Sequence, residues 1–132
     1  MTLQATGTFD VQMAPQAQDA TEGSTLARFS LDKQFHGDLE ATGKGEMLSA
    51  RTATESAAYV AIERVSGTLH GRSGTFVLVH TGIMNSQSQQ LSITVVADSG
   101  TEQLAGLAGE LAIAIVDGKH TYSFSYSLSE EG

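Results

Sequence analysis

Glu63, His80 and His120 are the side chains in this sequence best suited to moving a proton. Glu63 falls on the Tyr59, Ala61, Val65 side of an alternating stretch, while Ile62 and Arg64 fall on the other. His80 alternates with Phe76 and Leu78, and His120 with Tyr122, Phe124, Tyr126 and Leu128. A carboxylate on an apolar face has its pKa raised by desolvation unless a cation or several donors keep it ionised. Such a group can act as a general acid or base with His80 or His120 as its complement. A solvent-facing or salt-bridged strand residue is the structural alternative for Glu63, and a hydrogen-bonded core or rim histidine for His80.

Other chemistries lack support. Without cysteine there is no thiol catalysis, disulfide framework or cysteine-ligated metal. His36, His70, His80 and His120 show none of the short spacings of a histidine metal site, so neither a metal nor a cofactor is expected. Gly71-x-x-Gly74 and Gly106-x-x-Gly109 complete neither a dinucleotide nor a P-loop fingerprint, and no GxSxG elbow presents a serine. Seven basic residues are scattered against fifteen acidic ones, giving a net charge of −8 that repels nucleic acid and anionic membranes.

The elements that position these residues are strands. Alternation of apolar and small polar residues predicts Thr6–Met13, Thr25–Phe35, Leu39–Arg51, Ala57–Val65, Gly74–Thr81 and Leu91–Ala97, then a hairpin over 110–128. Asp117-Gly118 supplies the positive φ angles of a type I′ turn for that hairpin. A short helical turn fits only around Glu102–Ala105, and Met84–Gln90 reads as a polar loop at a barrel end. Ser66-Gly67-Thr68-Leu69-x-Gly71-x-x-Gly74 is echoed by Ser99-Gly100-Thr101, then Leu104-x-Gly106-x-x-Gly109, with a looser relative over Gly37–Met47. Glycines recurring at strand entries suit a tightly curved barrel, where they mark bends or close approaches. No linker divides residues 1–132, which read as one domain. With no basic-then-apolar leader and no membrane-length apolar run, a cytoplasmic location is the expectation.

Tyr59-x-Ala61-x-Glu63-x-x-x-Gly67-Thr68-Leu69-x-Gly71, Gly74-x-Phe76-Val77-Leu78-x-His80, the Ser99–Gly109 motif and Gly118-x-His120-x-Tyr122-x-x-x-Tyr126 together resemble a bacterial family of small proteins of unknown function with an allene-oxide-cyclase-like fold. The resemblance runs from about residue 2 to 128. It implies an all-β, eight-stranded antiparallel calycin-like barrel, assembled as a dimer or higher homo-oligomer, and no particular reaction.

On that fold the aromatic face of the last strand lines the lumen or an oligomer interface. Three functions stay open. The barrel binds a small apolar ligand through Tyr59, Glu63, Phe76, His80, His120, Tyr122 and Tyr126; or it isomerises or cyclises such a molecule by acid/base chemistry; or its lumen is filled and it serves as a structural or interaction protein.

Overall fold

Alternation decides the architecture, because each strand has an apolar face to bury and a sheet closed on itself buries all of them with no free edge. In the computed structural model, which describes residues 2–128, the strands are β1 (Leu3–Thr21), β2 (Ser24–Gly37), β3 (Leu39–Thr52), β4 (Ala57–Leu69), β5 (Arg72–Met84), β6 (Gln89–Val95), β7 (Leu107–Val116) and β8 (Lys119–Leu128). They form a closed antiparallel barrel in chain order, with β8 returning to β1 over Leu3↔Tyr126 to Phe9↔His120. Every expected strand is present. Asp117 and Gly118 have φ of 52° and 79°, the type I′ signature at the β7–β8 turn.

Two differences from the sequence reading have physical causes. β1 continues past Met13 to Thr21 because β2 pairs with it along its whole length, with a register shift between Pro15 and Ala17. Most of that extension is exposed, so it carries no apolar alternation to read. β6 and β7 share only the Thr94↔Glu110 pairing. Residues 96–103 bond back to β5 beside this seam: Thr101 N–H donates to the Thr75 carbonyl at 2.9 Å, and Val77 N–H donates to Ser99 Oγ at 3.0 Å. The second Ser-Gly-Thr motif therefore supplies hydrogen bonds that a strand would otherwise make. The short helical turn is a single 3-10 turn, Glu102–Leu104, whose Leu104 is buried.

The two ends of the barrel differ. Toward the β2–β3 and β4–β5 turns, Leu39, Leu69, Phe76, Leu104, Phe124 and Tyr126 are all buried, with Phe76 stacked on Phe124 at 5.9 Å between centroids. The opposite end, where the β1–β2, β3–β4, β5–β6 and β7–β8 turns lie, is not filled in this way. Outside, Leu26, Leu48, Val60, Ile62 and Ile83 are each at least half exposed on the wall of β2–β5. No helix among the described residues is long and apolar enough to cross a membrane.

Candidate functional site

β4 turns Tyr59, Ala61, Glu63 and Val65 inward, and Glu63 is fully buried. Two side chains meet its carboxylate at one oxygen. Lys33 Nζ donates to Glu63 Oε1 at 3.0 Å, and His80 Nε2 lies 2.7 Å from the same atom. Lys33 and His80 are themselves buried, at 7% and 3% exposure. The Lys33 ammonium also sits 5.2 Å from the centroid of Phe9 and 5.8 Å from that of Phe35, within cation–π range.

Two glycines make this meeting possible. Gly43 and Gly45 of β3 lie between Lys33 on β2 and Glu63 on β4, being paired with Lys33 and Glu63 respectively. A Cβ at Gly43 would collide with Glu63 Oε2, and one at Gly45 with the Ile62 carbonyl. The gap they leave lets the lysine reach across an entire strand. Burial pushes the Glu63 carboxyl up, but the His80 hydrogen bond and the Lys33 ammonium outweigh it and hold the group below the ordinary carboxylate value. Glu63 Oε2 is the one fully enclosed side-chain polar atom without a hydrogen-bond partner among the described residues.

Above this cluster, toward the open end, lies a cavity of about 290 Å³. Phe9, Val11, Met13, Leu31, Met47, Ala61 and Ile113 form its apolar wall. Its polar groups are Lys33, Tyr59, His80 and His120, so the cavity sees the lysine and histidine while the carboxylate stands behind them. Tyr59 lies over Gly82, where a Cβ would strike its ring, and its centroid is 6.5 Å from that of His80. Burial first and the Glu63 charge second raise the Tyr59 pKa, keeping the phenol neutral. His120 packs on Phe9 at 5.1 Å between centroids.

Of the residues proposed from sequence, Glu63 and His80 are thus in direct contact, and Tyr59 and His120 line the same space. Phe76, Tyr122 and Tyr126 lie elsewhere. Phe76 is part of the filled end. Tyr122 latches the β2–β3 turn: its hydroxyl accepts from Leu39 N–H at 2.9 Å and has the His36 carbonyl at 3.0 Å to donate to. The Tyr126 hydroxyl pairs with His70 Nδ1 at the barrel end. His36 faces outward beside Asp10 and Glu40. No group of three acidic or histidine side chains among the described residues is placed to hold a metal ion.

Lys33 is the site residue that the sequence reading passed over as one of seven scattered cations. Its signal was local: in Phe29-x-Leu31-x-Lys33-x-Phe35 the lysine occupies the apolar face of its strand. A lysine there needs a buried partner. The partner, Glu63, shows the same anomaly on β4.

A model of a family described as a protein of unknown function (DUF3224) matches residues 5–126. The chain belongs to the DUF3224 family. Its structure is similar to the crystal structure of a DUF3224 protein of unknown function from Shewanella oneidensis MR-1, with a TM-score of 0.94 and 48% identity, covering 99% of this chain and 100% of that one. No curated protein matches the chain. The family and the eight-stranded barrel therefore stand as the sequence motifs implied, and neither comparison brings an activity with it.

Proposed function

We propose that this DUF3224 barrel binds a small, mostly apolar molecule in the open half of its lumen. The observation that carries this reading is the 290 Å³ cavity, whose apolar wall surrounds a few converging polar groups. That composition is characteristic of ligand sites in barrels. A larger groove of about 490 Å³ on the outer wall lacks such convergence, being lined by Leu26, Leu48, Val60 and Ile83 with few polar neighbours. A methyl-labelled NMR titration with 2-octanone tests the proposal. Shifts should concentrate at Met13, Met47 and Ile113 and disappear when Ala61→Phe fills the cavity. Shifts confined to Leu26 and Leu48, or none at all, would refute it.

A second reading is an isomerase or cyclase working on such a ligand by proton transfer. The 2.7 Å contact between His80 and Glu63 favours it, because a carboxylate behind an imidazole fixes the orientation of the ring and the tautomer it presents. In that reading His80 is the proton carrier, Lys33 faces the oxygen and Glu63 acts through both. Turnover would be abolished by His80→Phe even at saturating ligand.

The homo-oligomer implied by the family resemblance would use the outer wall of β2–β5. There the register sets Leu48 beside Val60 and Leu26 beside Ala50, and the wall's Arg28–Glu46 pair is internally neutralised at 3.0 Å. Copies of a chain with net charge −8 repel least where they meet through such a face.

A further inference from the structure

We infer that the lumen floor takes a neutral carbonyl group with a hydrogen-bond donor next to it, such as an amide, with Lys33 Nζ donating to its oxygen and His80 Nδ1 accepting from its donor. This deepens the lumen reading and rests on it.

The argument begins at one atom. Glu63 Oε1 receives Lys33 Nζ at 3.0 Å and faces His80 Nε2 at 2.7 Å. An ionised carboxylate has no hydrogen to give, so His80 must present Nε2–H to it. That fixes the tautomer of the neutral ring and leaves a lone pair on Nδ1. Nδ1 makes no hydrogen bond to the described residues, and it is not among their enclosed unpartnered atoms, so it faces open space. His80 lines the cavity, and that open space is the lumen. Lys33 lines it too and carries three N–H donors, of which Glu63 Oε1 uses one. The floor therefore offers a donor and an acceptor side by side, both tethered to the same oxygen.

Charge decides which polar group suits this pair. Lys33 and Glu63 cancel, and His80 in the Nε2–H form is neutral. A ligand carboxylate would add an uncompensated negative charge in an apolar pocket, a few bonds from Glu63, and would bind only by drawing a proton onto His80. A hydrocarbon would leave the remaining Lys33 N–H donors and His80 Nδ1 without partners where it displaces water. A neutral amide satisfies both with no proton taken up: its carbonyl oxygen accepts from Lys33 and its N–H donates to His80 Nδ1. Tyr59 and His120 at the side of the cavity leave the apolar tail to Met13, Leu31, Met47 and Ile113.

The test is a calorimetric comparison of octanamide, octanoate and 1-octyne on the intact protein at pH 7.5, in two buffers of different ionisation enthalpy. Octanamide should bind about tenfold or more tighter than 1-octyne, the discrimination expected of hydrogen bonds to buried polar groups, with no proton uptake. Octanoate should bind more weakly, with proton uptake. Equal affinities for octanamide and 1-octyne, or octanoate binding tightest without proton uptake, would overturn the inference while leaving the lumen reading intact. If none of the three binds, the lumen reading falls and this inference with it. Because Lys33→Met can unfold the barrel, 15N NMR of the His80 ring in the unmodified protein gives an independent readout. Nε2 should stay protonated, and the Nδ1 resonance should move on adding octanamide; an Nδ1–H tautomer in that complex contradicts the assignment.

Discussion

At the scale of single residues, the buried Lys33–Glu63–His80 cluster is costly to disrupt and serves the fold only while complete. Removing one member of a buried ion pair leaves the other charge stranded, which typically costs about 3–5 kcal/mol. Glu63→Gln should therefore lower stability by an amount of that order, measured by urea denaturation. Replacing both ends, Lys33→Met with Glu63→Leu, should recover much of the loss, and a coupling near zero in the double-mutant cycle would refute the pairing. Acid adds a second check. The Glu63 pKa is lower in the folded state than its ordinary 4.5. As pH falls, the unfolded chain takes up this proton first, so the stability that Glu63 contributes is present above about that value and is lost as pH falls through the lower folded one. Urea midpoints followed from pH 7 to pH 3 should fall at the acid end, and should fall less in Glu63→Gln.

At the scale of elements, β3 matters for what it lacks. Gly43 and Gly45 open the passage through which Lys33 reaches Glu63, so Gly43→Ala should force a methyl group against the carboxylate. The expected cost is about 1–3 kcal/mol, as for other overpacked cores. Thermal denaturation of Gly43→Ala with no loss of stability would mean the passage is not needed. These strands also show what could be read beforehand. The β7–β8 hairpin was legible because its aromatic alternation and Asp-Gly turn agree, and Glu63 and His80 were legible as polar residues on apolar faces. Which of the two histidines offered as its complement, His80 or His120, meets Glu63 was not, because it depends on the register of β4 against β5, with Ala61 opposite His80. Lys33 escaped notice because its partner lies thirty positions away across an intervening strand. Tyr122 and Tyr126 share a face with His120 but lie nearer the filled end, and alternation reports the face of a strand, not the depth along a barrel.

At the scale of the whole molecule, the barrel divides into a filled half that holds it together and an open half that leaves room for a ligand. Phe124→Ala, in the filled half, should cost about 3–5 kcal/mol while leaving 2-octanone affinity nearly unchanged in the fraction that stays folded. Ala61→Phe, in the open half, should do the reverse, and calorimetry of both variants checks the division. Assembly belongs to this scale as well. Sedimentation velocity should give a multiple of the 13.8 kDa chain mass that falls to the monomer in Leu48→Glu, and a wild-type protein already monomeric at high concentration would contradict an outer-wall contact. The central claim, occupancy of the lumen, is tested most directly by native mass spectrometry of the protein mixed with an equimolar set of six- to ten-carbon amides and ketones, beside Ala61→Phe. The account predicts a one-to-one adduct on each wild-type chain that is absent from the variant; bare masses for both proteins, or the same adduct on both, would contradict it.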